Sequence, residues 1–164
     1  MATQQSGEII RRLLDEGFEF VVLGGVAAIA HGASTFTQDL DVAAPFTAEN
    51  FQRLLRALDG LNPRFRIASG VRPVRETAET LATWRNLYLA CDLGALDVLG
   101  EHPGGRTYDE IASRSVTARI FGHDCQLISI EDLIHVKESL GREKDRQVAH
   151  ELRVIRAARE RGAD

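Results

Sequence analysis

The sequence predicts an α/β (α+β) fold: a mixed β-sheet flanked by helices, with a helical C-terminal end. Three observations carry this. Short apolar runs of strand character alternate with amphipathic helical runs through the first sixty residues. A hairpin pattern follows in the middle of the chain, and nearly everything after Ser129 has helical periodicity. A chain of 164 residues fits a single domain over 1–164, with 129–164 as its C-terminal helical part.

The elements follow in order. "SGEIIRRLLDEG" predicts a helix capped by Ser6 and stopped at Gly17, with Ile9, Ile10, Leu13 and Leu14 on one face. "FEFVVLGG" is a strand ending in glycines, "VAAIAHG" a short helix closed by Gly32, and "DLDVAAP" a second strand stopped by Pro45. "TAENFQRLLRALDG" repeats Phe51, Leu54, Leu55 and Leu58 at helical spacing between a Thr47 cap and Gly60. "PRFRIAS" is a strand, and residues 72–85 are expected to be loop plus a short helix. "NLYLACDLGALDVLG" is a hairpin about Asp92-Leu93-Gly94. A short helix in "TYDEIASRS" and one strand or a strand pair in "TARIFGHDCQLIS" come next. "SIEDLIHVKESLG" is a helix capped by Ser129, and the last helix runs from about Glu143 to Arg161 with Val148, Leu152 and Ile155 as its apolar stripe.

Composition narrows the partners. The net charge of −4 supplies no global basic field for nucleic acid, which leaves only a local one. The N-terminus lacks the continuous apolar core of a signal peptide. No apolar run reaches the roughly 20 residues of a membrane span. The expectation is a cytoplasmic protein with no membrane partner and two free thiols, Cys91 and Cys125.

Four features could carry chemistry. Asp39 and Asp41 sit at i and i+2 of a strand, so both project from one face. Two carboxylates there repel unless a cation lies between them, and a hard ion such as Mg²⁺ prefers such oxygen ligands. A solvated D-x-D at a strand edge is the alternative. Gly24-Gly25 lets backbone approach an anion at a helix start, or else serves a tight turn. Asp97 is a lone acid between Leu96 and Val98 in an apolar strand and needs solvent or a partner. Lys137, Arg142, Lys144 and Arg146 cluster within ten residues, as phosphate contacts or as a solvated, ion-paired face. The five histidines show no metal-ligand spacing, and His31 is expected to be structural.

Together these features resemble the nucleotidyltransferase fold of the DNA polymerase β superfamily. That family places a strand, a Gly-Gly or Gly-Ser turn, a short helix and an aspartate pair one residue apart before a third carboxylate on a later strand. Here these are Gly24-Gly25, Asp39 with Asp41, and Asp97. "LGGVAAIAHGASTFTQDLDV", "CDLGALDVLGE" and "LIHVKESLGREKD" are similar to small bacterial nucleotidyltransferase-like proteins related to AbiEii/MenT toxins. Many relatives carry an arginine four residues before the first aspartate, where this chain has Thr35.

The resemblance implies that Asp39, Asp41 and Asp97 are catalytic and hold Mg²⁺ or Mn²⁺. It implies nucleotide contacts at Gly24, Gly25, Thr37, Lys137, Arg142 and Lys144. The substrate would be a nucleoside triphosphate (NTP, ATP being one) and the acceptor tRNA, a protein or a small molecule. A cognate partner protein would follow from a toxin–antitoxin role. Two alternatives remain: a catalytically inactive domain of this fold that binds a nucleotide or partner, and a metal-dependent phosphohydrolase using the same carboxylates.

Overall fold

The computed structural model describes residues 4–162. Its centre is a mixed sheet whose strands are β1 (Val21–Val22), β2 (Asp39–Ala43), β3 (Arg64–Ile67), β4 (Gly70–Pro73), β5 (Asn86–Cys91), β6 (Gly94–Leu99), β7 (Val116–Ile120) and β8 (His123–Leu127). They lie in the order β4-β3-β5-β6-β2-β1-β8-β7. Two pairings are parallel, β2 with β6 and β1 with β8, and the rest are antiparallel.

The helices are α1 (Ser6–Asp15), α2 (Gly24–Ala30), α3 (Ala48–Ala57), α4 (Ala78–Leu81), α5 (Tyr108–Arg114), α6 (Ile130–Leu140) and α7 (Glu143–Gly162). Helix α2 packs on β2, α1 on α3 and β8, and α6 on α7. One continuous apolar cluster, including Ile9, Phe51, Leu40, Leu96, Ile111 and Ile128, fills the space between sheet and helices.

Most local expectations stand for stated reasons. Thr47 and Ser129 each accept a hydrogen bond from the backbone N–H three residues on, opening α3 and α6. Gly17, Gly60 and Gly141 take the left-handed conformation just beyond helix ends. "TARIFGHDCQLIS" resolves into the pair β7 and β8.

Three expectations change. Ser6 is not a cap: Gln5 precedes the helix, and Ser6 Oγ accepts from the Gln4 side-chain amide instead. Leu14 is partly exposed, so the buried face of α1 is Ile9, Ile10 and Leu13. Residues 70–73 form strand β4, an edge strand on β3, which takes in Arg72 and Pro73 where loop was expected. Its mostly exposed residues and Pro73 give no alternating pattern to read.

Candidate functional site

Alternation along two central strands builds the site. Leu40 and Val42 of β2 and Leu96 and Val98 of β6 are fully buried on one face of the sheet. The intervening residues, Asp39, Asp41 and Asp97, therefore occupy the other face. The parallel register pairs Asp41 with Asp97 directly, and Leu40 with Leu96 beneath them. Two carboxyl groups are thus side by side on neighbouring strands, close enough to hydrogen-bond when one is protonated. Tyr88 of β5 is in register with Asp97 on its other side and is exposed on the same face.

The glycines earlier in the chain serve this pair. They are the first two residues of α2 rather than a turn before it. Gly24 has φ +62°, and a Cβ there would run into the Asp41 carboxylate. A Cβ on Gly25 would lie 2.6 Å from Thr37 Cβ. The pair of glycines lets the helix start press against Asp41 and Thr37 at once. Thr37 Oγ1 in turn exchanges hydrogen bonds with the backbone of Asp39 at 3.2 and 3.4 Å, fixing the entry to β2.

Burial pushes both facing acids above the ordinary carboxylate range. For Asp41 desolvation leads and the Asp39 charge adds, while Asp97, Lys137 and Arg66 pull the other way. For Asp97 desolvation leads, Arg66 opposes it, Asp41 and Asp39 add to it, and the net places its carboxyl at about 7. Arg66 Nη2 lies 2.8 Å from Asp97 Oδ1. The contact is an ion pair by distance but lies off the hydrogen-bond direction, so the buried Oδ1 receives no well-aligned donor. Arg66 Nη1 meanwhile donates to Leu89 O at 3.0 Å, anchoring the side chain along the sheet.

Not every expected residue reaches the carboxylates. Lys137 is mostly buried, and its charge is felt at Asp41. Its Nζ also lies 3.5 Å from Asp145 Oδ1. Arg142 is turned to Asp145 and grips it through Nε and Nη2. Burial pushes Asp145 up, but Arg142 and Lys137 override it and leave the carboxyl below its usual range. Lys144 is exposed on α7, and Arg146 donates to Gly141 O and Glu143. His31 is structural: Nε2 contacts Ile128 O at 2.7 Å, while Arg159 holds its Nδ1 and carbonyl. Both thiols, Cys91 and Cys125, are free and buried.

Two site residues escaped the sequence reading, Arg66 and Tyr88. "PRFRIAS" did contain a signal, since Arg64 and Arg66 at i and i+2 of a strand share a face.

A groove of about 1360 Å³ opens beside Asp39. Arg64, Arg66 and Arg119 line it together with the exposed rings of Phe36 and Phe121.

The donor set suits a hard divalent cation. It consists of carboxylate oxygens only, two of them facing in register, with the buried Oδ1 of Asp97 lacking an aligned donor. Among the described residues no three acidic, histidine or cysteine side chains are drawn together tightly enough to hold an ion as they stand. None of the described helices is long and apolar enough to cross a membrane.

A mixed sheet that sets these acids on its central strands, beside a helix opened by glycines, defines a nucleotidyltransferase-like fold. The solved structure of a Thermotoga maritima protein taken to be a nucleotidyltransferase shares it. The likeness covers 88% of this chain and 87% of that one, with a TM-score of 0.51 and 16% identity. At that identity the likeness is one of fold. The sequence matches no protein-family model and no curated protein.

Proposed function

We propose that the protein is a nucleotidyltransferase that moves a nucleoside monophosphate from an NTP to an acceptor hydroxyl, with Mg²⁺ or Mn²⁺ as cofactor. The observation that carries this is the direct register of Asp41 with Asp97 across parallel strands, against the glycines that open α2. The fold shared with the Thermotoga protein supports it. The bound cation would supply positive charge for the triphosphate and for the leaving pyrophosphate.

The chain's own residues then have separate tasks. Asp39 and Asp41 would hold the cation on the polar face of β2, and Asp97 would complete the ligand set. Asp97 would also accept the proton of the acceptor hydroxyl. Gly24 and Gly25 bring the start of α2 against Asp41 and Thr37, and the backbone there would cradle the phosphates. Lys137 offsets phosphate charge. Arg142 acts on it indirectly through their shared partner Asp145. Lys144, exposed on α7, would add positive charge for the triphosphate. The groove beside Asp39 receives the acceptor, and its arginines and exposed rings suit one that carries nucleotides, tRNA among them. In an AbiEii/MenT-like setting the enzyme would be the toxin of a toxin–antitoxin pair with a cognate partner protein.

Incubation with each labelled NTP, Mg²⁺ and cell extract tests the reading. Label should enter a macromolecule with wild type and not with Asp41→Asn. Equal labelling by both would refute it.

A second reading has one observation in its favour: Arg66 is engaged with Asp97, as in a domain that binds nucleotide without turnover. Calorimetry with NTP and Mg²⁺ separates the two when read beside the labelling. Binding without transfer supports this second reading.

A further inference from the structure

Arg66 stands where a cation would serve Asp97. Its guanidinium contacts Asp97 Oδ1, a buried oxygen of the facing acid pair that has no aligned hydrogen-bond donor. The Asp97 side chain is only 14% exposed and that of Arg66 33%, so water screens the pair only in part. Arg66 reaches this point from β3 across the intervening strand β5, held by its bond to Leu89 O. Along the same side chain it also lines the groove beside Asp39. One residue therefore touches both the carboxylates and the space next to them.

We propose that Arg66 is a built-in counter-ion that competes with the divalent cation for Asp97, and that loading of the carboxylates requires the guanidinium to withdraw toward the groove. The inference rests on the metal-dependent reading above but concerns ion binding rather than transfer. Arg66 is a positioning residue in this scheme. It keeps two adjacent acids tolerable in the metal-free protein and yields one of them when a stronger cation arrives. The ladder makes the exchange local: β3 and β5 stay paired through Phe65 and Leu89 while only the side chain moves.

The neighbouring Arg64 provides the control. It projects on the same face of β3 and lines the same groove, but its ionic partner is Asp92 at 3.9 Å. Removing Arg64 lowers the local positive charge by one without touching Asp97.

The test is Mn²⁺ binding to the metal-free protein without nucleotide, followed by loss of the free-ion electron paramagnetic resonance signal. Arg66→Gln should bind about fivefold tighter than wild type, the scale of losing a partly exposed ion-pair competitor. Arg64→Gln should stay within about twofold, and Arg66→Lys, which keeps the charge, should stay near wild type. The gain in Arg66→Gln should vanish when Asp97→Asn is added. Circular dichroism and thermal melting confirm that each variant is folded, and Arg66→Met, which also removes the charge and is held to the same expectation, carries the comparison if Arg66→Gln is not. The proposal is overturned if Arg66→Gln binds no tighter than Arg64→Gln, if its gain survives loss of Asp97, or if no variant binds Mn²⁺. If Mn²⁺ binding tightens as described but no NTP is ever transferred, the catalytic reading fails and the counter-ion assignment stands.

Discussion

Asp97 is held in a state its surroundings disfavour. Burial and the two neighbouring acids raise its proton affinity from the ordinary 3.8 to about 7, more than Arg66 offsets. The folded protein therefore binds more protons there than the unfolded chain between those values. The stability this group contributes is complete below about pH 4 and is lost as pH rises through about 7. Asp97→Asn should stabilise the metal-free protein by about 1–2 kcal/mol at pH 8, and the gain should shrink toward zero at pH 4. Urea denaturation at the two pH values measures this, and destabilisation at pH 8 would contradict it. Gly24 has the opposite character. Its left-handed φ and the carboxylate against it leave no room for a side chain. Gly24→Ala should cost about 2 kcal/mol or more in a thermal or urea melt and displace Asp41. At this scale the acids and the glycines were legible in the sequence, because D-x-D on a strand and a lone acid among leucines are local patterns. Arg66 was not singled out, because its meaning depends on which strands β3 lies beside.

Elements formed where capping and periodicity agreed. Thr47, Ser129 and the glycines past α1, α3 and α6 mark their helix ends by side-chain chemistry that a sequence displays. Strand β4 was hidden because an exposed edge strand has no face that must be apolar. The basic cluster running from α6 into α7 offered either phosphate contacts or an ion-paired face, and the structure pairs part of it. Asp145, buried in the first turn of α7, draws Arg142 and Lys137 to itself and ties the start of α7 to α6. A buried acid with two cationic partners is costly to remove. Asp145→Ala should destabilise the fold by about 3 kcal/mol at pH 7, read from urea denaturation. Because this carboxyl is held below its usual range, its contribution persists above about pH 4 and is lost on further acidification. The two acids are thus expected to shift stability in opposite directions as pH changes.

The whole molecule is organised around pairings the sequence does not display. Strands β2 and β6 meet in parallel although three strands and two helices separate them along the chain, and that meeting alone sets Asp41 against Asp97. The fold class could be read from the alternation of elements, whereas the strand order depends on non-local packing. The same order carries β3 and its arginines to the carboxylate face and opens the groove beside Asp39. At this scale the fold joins three parts: an acid pair, a glycine-opened helix start and the groove to which the proposed function assigns the acceptor. The most direct measurement is transfer of label from an α-³²P NTP to a macromolecule in cell extract, with Mg²⁺ present or chelated. Mg²⁺-dependent labelling by wild type, lost in Asp41→Asn and in Asp97→Asn, is the expected result. Labelling that persists in either variant or in the presence of chelator would contradict the account.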